Sequence, residues 1–280
     1  MFKFLRKKIG IIGYGNMGQA IAAGIKSKYR VFVFDKEKTK IQAVSGIEAA
    51  VDIAYLIGQC QVIILAVKPQ DFETALEQLK GSLKDRLIIS IAAGIPTGYI
   101  ENIIKEARVI RAMPNIAVKI AQGESGLAKG AYATNGDLAF VRELFGLLGK
   151  VWEVSEEKID GITAISGSGP AYIFYDMEIN GLNPLNISSE IKNGYIRRLA
   201  EAAVAVGFNE KMGADLAVST AVSSIALAAQ TAQAPAVLRK MVTSPGGTTE
   251  AAIKTIIDGG SWAQAAIAAK KRAQELSRKG

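Results

Sequence analysis

The sequence predicts an α/β protein of two domains, a doubly wound N-terminal domain over residues 1–155 and an all-α C-terminal domain over 156–280. Two patterns carry this prediction. Short apolar runs of strand length alternate with helical patterns through the first half, which is typical of a parallel sheet covered on both faces. After Glu156 these runs disappear, and alanine-rich helical patterns take their place. A chain of 280 residues is long enough for two such domains, each with its own core.

The predicted elements follow these two patterns in chain order. In the first half we predict strands over 9–12, 30–34, 62–67, 87–91, 108–111 and 150–154, and helices from residue 20, within 47–58, and over 71–79 and 135–148. In the second half we predict helices over 159–165, 169–179, 195–206, 211–231, 235–242, 248–257 and 261–276.

The composition fits a globular protein and restricts its chemistry. Hydrophobic residues make up 49% of the chain and charged residues 21%. There is no histidine, which excludes a Ser-His-Asp triad, a histidine-based zinc site and a histidine general acid. We predict no metal site, and expect any enzymatic chemistry to rest on hydroxyls, backbone groups, carboxylates, lysines or a cofactor.

Charge and cysteine content indicate the kind of partner and the compartment. The formal net charge of +8 favours an anionic cofactor and a carboxylate substrate, since the chain has no nucleic-acid-binding motif. The single cysteine, Cys60, precedes an apolar run and is predicted to be a core residue. No apolar run reaches the roughly 18–20 residues of a membrane span, and the basic start leads directly into the first strand, without a signal peptide. We therefore predict a cytoplasmic protein with no nucleic-acid or membrane partner.

The strongest local motif is a glycine triplet near the N-terminus. Gly13, Gly15 and Gly18 have G-x-G-x-x-G spacing, with a predicted strand before them and a helix after them. In this motif the first glycine makes a tight turn, the second lets the backbone approach a pyrophosphate, and the third lets the helix pack closely on the strand. The helix N-terminus adds N–H groups for the phosphates. The sequence therefore predicts a dinucleotide-binding, or Rossmann, domain.

The residues after the second strand leave the choice of dinucleotide open. Asp35 ends that strand about 20 residues after the glycine motif, where a carboxylate suits the ribose diol of NAD. Lys36, Lys38 and Lys40 follow directly and would suit the 2′-phosphate of NADP. An alternative interpretation of the lysines is a solvated helix face. The predicted cofactor is therefore NADP or NAD.

Two stretches of the second half bear hydroxyl groups directly before predicted helices. They are Ser166-Gly167-Ser168-Gly169-Pro170 and Thr243-Ser244-Pro245-Gly246-Gly247-Thr248-Thr249. N–H groups and hydroxyls at a helix start form an anion site. Ordinary capped helices explain the same residues equally well. The residues alone do not decide between these interpretations.

Taken together, these motifs resemble a known enzyme family. The pieces IGIIGYGNMGQAI, ILAVKPQ, RAMPN, ISGSGPAY and VLRKMVTSPGGTTEAAI occur in order over nearly the whole chain. They are similar to those of pyrroline-5-carboxylate reductase, and the last piece is the most specific. The resemblance implies an N-terminal Rossmann domain, a C-terminal helical domain that forms a homodimer or larger homo-oligomer, and hydride transfer from a reduced nicotinamide nucleotide to 1-pyrroline-5-carboxylate, giving L-proline.

The resemblance also implies which residues hold the ligands. The nucleotide contacts that it implies are Gly13, Asn16, Met17, Ala66, Lys68, Pro69, Met113, Pro114 and Asn115. The substrate contacts that it implies are Ser244, Gly247, Thr248 and Thr249, with backbone N–H groups on the carboxylate. The hydroxyl of Thr249 is expected near the ring nitrogen, as the catalytic group.

The sequence departs from the family pattern in two places. Residues 176–194 form a segment about 18 residues longer than the family's continuous helix would need. Gln233 and Ala234 precede Pro235, where the family often has an acidic residue and a histidine, so no acid near the substrate amine is carried over.

Two alternative functions stay open at this stage: a reductase of another cyclic imine, and a non-catalytic dinucleotide-binding protein. A β-hydroxyacid dehydrogenase is disfavoured, because no lysine lies in the predicted helix 169–179. The second hydroxyl-bearing stretch argues against a non-catalytic sensor, which has no need of a second anion pocket.

Overall fold

A computed structural model describes residues 6–41, 45–67, 69–81, 83 and 86–277, and eight of its segments form one sheet. The strands are β1 (Lys8–Ile12), β2 (Arg30–Phe34), β3 (Glu48–Ala49), β4 (Val62–Leu65), β5 (Leu87–Ser90), β6 (Arg108–Pro114), β7 (Gly123–Lys129) and β8 (Gly149–Glu153). Their order is β3-β2-β1-β4-β5-β6-β7-β8, and the pairs from β3 across to β6 are parallel. The order reverses at β1, as in a doubly wound sheet.

The central strands are apolar because both of their faces are covered. Every residue of β4 and β5 is buried, and β1 is buried from Ile9 onward. In register, Ile9 lies beside Val31 and Val62, while Leu65 lies beside Ser90. The prediction of parallel strands from continuous apolar runs is confirmed.

Among the described residues, five α-helices belong to the sheet-bearing half of the chain. They are α1 (Asn16–Ile25), α2 (Ile53–Gln59), α3 (Pro69–Leu79), α4 (Thr97–Ile103) and α5 (Asn135–Gly146). One apolar core joins α2, α3 and α4 to the sheet, through side chains such as Leu56, Leu76 and Ile100. Cys60 lies in this core, where burial raises the pKa of its thiol to about 12, so the prediction of a core cysteine is confirmed.

After residue 155, the described chain contains seven α-helices, one π-helical turn and a short 3-10 helix, Pro184–Asn186. The helices are α6 (Glu156–Ile162), α7 (Gly169–Ile179), α8 (Ser189–Ala205), α9 (Glu210–Thr231), α10 (Pro235–Val242), α11 (Thr248–Ile257) and α12 (Trp262–Ser277). The π-helical turn, Thr163–Gly167, connects α6 to α7. π-Helical turns are rare in proteins, and those that do occur are often found at functional sites.

By its internal contacts the chain forms two compact units. The first contains the chain up to Ala112 together with Leu127–Glu156, and the second contains Met113–Gly126 together with the chain from Glu157 onward. The second unit therefore includes the end of β6 and the start of β7. The continuous boundary at residue 155 stays a prediction.

Some elements are not foreseen in the sequence, and one segment differs from expectation. β3 has only two residues and α4 only seven, while β7 has the sequence GESGLAK, which lacks the alternation that identifies a strand. In the segment 176–194, α7 continues to Ile179 and α8 already begins at Ser189. The side chain of Ser188 accepts the N–H of Ile191 and thereby caps α8, so that only nine residues separate the two helices.

The helix α9 has a composition that the sequence analysis undervalued. Among the described helices it is long and apolar enough to cross a membrane, by length and composition alone. Half of its most apolar window is buried inside the protein, and core helices of soluble proteins meet the same criterion. No uninterrupted apolar run marks this helix in the sequence, whereas a membrane span can contain one or two charged residues.

Candidate active site

The glycine motif forms the turn between β1 and α1 that the sequence predicts. Gly13 has φ of +96°, a conformation that favours glycine, and a Cβ there would lie 2.5 Å from the carbonyl oxygen of Ala66. A Cβ on Gly18 would lie 2.2 Å from the carbonyl oxygen of Gly13. The N–H of Ala66 donates to the carbonyl oxygen of Ile12 at 2.8 Å. The structure therefore brings Gly13, Gly18 and Ala66 together, and close backbone approach requires both glycines.

Gly15 differs from the other two glycines because the space before it is open. A Cβ on Gly15 would meet nothing within 4 Å. Gly15 is the N-cap of α1, which has no side-chain cap and no acidic residue in its first turn. The first N–H groups of the helix thus lack side-chain partners. Asn16 is exposed and Met17 is half-buried beside them. Open space and uncapped N–H groups fit the pyrophosphate of a dinucleotide.

Asp35 has a structural role that the sequence analysis did not foresee. It is buried, and its Oδ2 accepts the N–H of Tyr14 at 2.7 Å, while its Oδ1 accepts the N–H of Glu37 at 2.9 Å. Tyr14 lies between the first two glycines of the motif, so Asp35 holds the glycine turn against the end of β2. Each carboxylate oxygen keeps a further lone pair for a ribose hydroxyl.

The lysines after Asp35 are not equally available to a ligand. Lys36 pairs with Asp71 at 2.8 Å, and Lys40 pairs with Glu37 at 2.8 Å. Lys38 is exposed and has no ion-pair partner in the part of the chain that the structure describes. Of the three, Lys38 is therefore the cation best placed to meet a phosphate from solution.

The remaining predicted nucleotide contacts fall in three places. Ala66 follows β4 and is half-buried, and Pro69 begins α3. Lys68 lies outside the described residues. Met113 and Pro114 end β6 and are buried.

Asn115 comes next, and its side-chain oxygen and nitrogen differ in their hydrogen bonding. Its Oδ1 accepts the N–H groups of Ala117 and Glu124 at 3.2 and 3.0 Å, while its Nδ2 is buried and has no hydrogen-bond partner among the described residues. An orphaned buried donor is costly unless a ligand satisfies it. This geometry fits a ligand carbonyl, and no local sequence signal reveals it.

The two hydroxyl-bearing stretches meet inside the second unit. Thr249 Oγ1 donates to Ser168 Oγ at 3.1 Å, and the hydroxyl oxygens of Ser168 and Thr248 are 3.3 Å apart. All three side chains are buried. Ser168 is the N-cap of α7, yet its side chain makes no capping hydrogen bond. Ser168 is therefore not a capping residue in the ordinary sense, because its hydroxyl oxygen accepts a hydrogen bond from Thr249 of the other stretch.

Three hydrogen bonds hold the loop before α11. Gly247 donates its N–H to the carbonyl oxygen of Ser244 at 3.0 Å, and Gly246 donates its N–H to the Oε2 of Glu250 at 2.8 Å. Arg272 of α12 donates to the carbonyl of Gly246 at 2.7 Å. α11 has no side-chain cap, so the N–H groups of Thr248 and Thr249 remain at the helix start. Ser244 is exposed, and the N–H of Gly247 is already used within the loop.

Tyr172 of α7 interacts with Ser168 of the hydroxyl cluster. It is fully buried, and its hydroxyl donates to the carbonyl of Ala164 in the π-helical turn at 2.9 Å. Burial raises the pKa of Tyr172, while a hydrogen bond with Ser168 opposes this shift. Tyr172 therefore remains a neutral phenol at physiological pH. Among the described residues, no group of three or more acidic or cysteine side chains could hold a metal ion.

The contrast between Gly18 and Gly15 can be tested by stability. We expect Gly18→Ala to lower the free energy of unfolding by about 1–3 kcal/mol, because the new methyl group would force the turn and α1 apart. Urea unfolding measures this change. The matched control, Gly15→Ala, places the same methyl group in open space and should unfold close to wild type. Equal stabilities for the two variants would contradict the packing described here.

Comparisons with known proteins match a family model to each half of the chain. A family described as NADP oxidoreductase coenzyme F420-dependent matches residues 8–94, and one described as pyrroline-5-carboxylate reductase dimerisation matches residues 194–276. The pyrroline-5-carboxylate reductase of Methanosarcina acetivorans is 36% identical, over 98% of this chain and 99% of that protein.

Two solved structures share the fold. A pyrroline-5-carboxylate reductase from Coxiella burnetii is 32% identical with a TM-score of 0.64, and covers 97% of this chain and 99% of its own. Pyrroline carboxylate reductase of Plasmodium falciparum, solved with NADP bound, has a TM-score of 0.64 at 24% identity, over 98% of this chain and 99% of its own.

The fold and the site define a nicotinamide-dependent oxidoreductase with a Rossmann domain and a helical dimerisation domain. Identity of 36% over almost the full length of both chains then decides the family. The chain belongs to the pyrroline-5-carboxylate reductase family.

Proposed function

We propose that this chain catalyses the NAD(P)H-dependent reduction of 1-pyrroline-5-carboxylate to L-proline, the last step of proline biosynthesis. The observation that carries the proposal is the start of α11, where buried Thr248 and Thr249 present hydroxyl and backbone N–H groups side by side. A small cyclic imine that bears a carboxylate needs both kinds of group.

The carboxylate of the substrate would dock at the start of α11. The N–H groups of Thr248 and Thr249 are not capped by a side chain, and the partial positive charge of the helix N-terminus favours an anion. Ser244 and Gly247 shape the loop that leads to this point. The hydroxyl of Thr249 is then the group assigned to the ring nitrogen.

The absence of histidine is consistent with this reaction. A cyclic imine is basic enough to be substantially protonated near neutral pH, so the protein needs no strong general acid. When bound, the reduced nicotinamide supplies a hydride to the C=N carbon while the π electrons move to the ring nitrogen, leaving a secondary amine. The residues of this chain mainly have to bind and orient the substrate.

We assign the nucleotide to the glycine turn, to Asp35 and to Asn115. Gly13, Gly15 and Gly18 form the turn, and Asn16 and Met17 follow it at the start of α1. Asp35 stands at the end of β2 for the ribose, and the orphaned Nδ2 of Asn115 fits a carboxamide oxygen. We also assign Ala66, Lys68, Pro69, Met113 and Pro114 to the nucleotide site.

Lys38 provides a test of how the nucleotide is recognised. If NADPH is bound through its 2′-phosphate, we expect Lys38→Ala to raise the dissociation constant of NADPH by about tenfold, from the loss of one charged contact. NADH lacks that phosphate, so its affinity should not change. Lys36→Ala is the matched control, because Lys36 is already paired with Asp71. Equal losses for both nucleotides would contradict a phosphate contact at Lys38.

The proposed function is tested by following the loss of reduced-nicotinamide absorbance with 1-pyrroline-5-carboxylate. NADPH and NADH are compared in parallel, and formation of L-proline is measured by chromatography. Turnover with proline as product supports the proposal. Tight nucleotide binding without turnover would overturn it, and turnover only with other cyclic imines would change the substrate.

We also propose a homodimer or larger homo-oligomer, and a cytoplasmic location. The matched dimerisation region, 194–276, carries exposed apolar side chains, and exposed apolar surface is typical of protein–protein interaction sites. They are Val204, Val218, Val222, Val237, Ile257 and Ile267, which are 45–59% exposed. Light scattering after size exclusion that gives the mass of a single chain would contradict the oligomer. The chain has one cysteine, Cys60, and so uses no intramolecular disulfide, as is usual for proteins of a reducing compartment.

A further inference from the structure

Ser168 occupies the centre of the buried hydroxyl cluster formed by Ser168, Thr248 and Thr249. Its Oγ lies 3.1 Å from Thr249 Oγ1 and 3.3 Å from Thr248 Oγ1, although the two threonines are about 80 residues away along the chain. The π-helical turn brings the Ser168 N–H to the carbonyl of Thr163 at 2.8 Å. This turn places the serine at the start of α7 without a capping bond of its own.

The direction of the Thr249 hydrogen bond determines what Thr249 can offer a ligand. A hydroxyl has one proton to donate and two lone pairs that accept. Thr249 donates its proton to Ser168, so its oxygen faces any other partner as an acceptor. A partner at that oxygen must therefore carry a proton of its own.

We propose that Ser168 is a positioning residue that holds the Thr249 hydroxyl as a hydrogen-bond acceptor, so that the site selects the protonated form of the cyclic imine. This inference rests on the proposed function. The nitrogen of a protonated imine carries an N–H group that can donate to Thr249 Oγ1. The unprotonated nitrogen has only a lone pair, which would face another lone pair.

Charged and titratable groups on α7, α11 and the helices packed against them make the following hydrogen bonds and ion pairs. On α7, Tyr172 donates to Ala164, and on α11, Glu250 accepts from Gly246. On the other packed helices, Arg272 of α12 bonds Gly246 and Glu275, Arg239 of α10 pairs with Glu178, and Thr220 of α9 donates to the buried carboxylate of Glu124. None of these contacts involves the Thr249 hydroxyl, so in this proposal the proton arrives with the substrate.

The test is the pH profile of kcat/KM for Ser168→Ala, compared with wild type. In the wild type, kcat/KM should fall as pH rises through the pKa of the imine, because the protonated fraction of the substrate falls. In Ser168→Ala the Thr249 hydroxyl can turn and donate to the unprotonated imine. We expect kcat/KM to fall by about tenfold at low pH, and its decline towards high pH to become shallower.

A matched control separates positioning from packing. Ser224 is as buried as Ser168, but its hydroxyl donates to the carbonyl of Thr220 within the same helix at 2.6 Å. Ser224→Ala should therefore keep the wild-type shape of the pH profile. Should Ser168→Ala fail to fold, Ser168→Cys keeps the volume with a weaker acceptor, and should shift the profile in the same direction.

The outcomes distinguish the inference from the proposed function. A Ser168→Ala profile with the wild-type shape would overturn the inference, whatever the loss of rate. An unchanged nucleotide dissociation constant and melting temperature, together with the shallower profile, would support it. If the wild-type protein reduces no 1-pyrroline-5-carboxylate at any pH, the proposed function itself fails.

Discussion

Gly15→Val is expected to weaken nucleotide binding by about 10- to 100-fold while the protein stays folded. A Cβ at Gly15 meets nothing within 4 Å in the protein, so the position has room for a branched side chain to begin without a clash. It fills the open space in front of the uncapped start of α1, where the pyrophosphate would lie. Titration of the reduced nucleotide by fluorescence measures the dissociation constant, and thermal unfolding measures the fold.

The control for this result is Gly18→Val, which changes the same turn in a different way. Its side chain would overlap the carbonyl oxygen of Gly13, so we expect a lower melting temperature rather than a selective loss of binding. If Gly15→Val bound the nucleotide as tightly as wild type, the assignment of the pyrophosphate to this turn would be wrong.

Thr249→Val is expected to lower kcat by about a hundredfold and to leave nucleotide affinity close to wild type. Valine keeps the shape of threonine and removes only the hydroxyl, which the proposed mechanism places at the ring nitrogen. The variant also loses the hydrogen bond to Ser168, a buried interaction of 3.1 Å. Steady-state rates with 1-pyrroline-5-carboxylate, together with a nucleotide titration, separate the two effects.

Thr249→Ser serves as the control, because it retains the hydroxyl and removes only a methyl group. We expect it to recover most of the activity that valine removes. Equal rates for the valine and serine variants would show that the hydroxyl does not contribute to turnover. A large loss of nucleotide binding in Thr249→Val would contradict its assignment to the substrate.

Local patterns predict the regular elements of this chain well. β2, α7, α10 and α11 have the bounds that the sequence predicts, because apolar periodicity and the Pro or Gly residues at their ends are local signals. β7 was missed for the opposite reason. It lies between β6 and β8, its neighbours in the chain, but its own residues include two glycines and no alternation, so no local signal marks it as a strand.

The sequence by itself determined the α/β alternation, the glycine motif and the two hydroxyl-bearing helix starts, because each depends on residues close together in the chain. Only the tertiary structure decided that Asp35 holds the Tyr14 amide, and that Ser168 receives the proton of Thr249. These hydrogen bonds join residues 21 and 81 positions apart. Spacing along the chain carries no signal for such contacts, since the packing of separate elements brings the partners together.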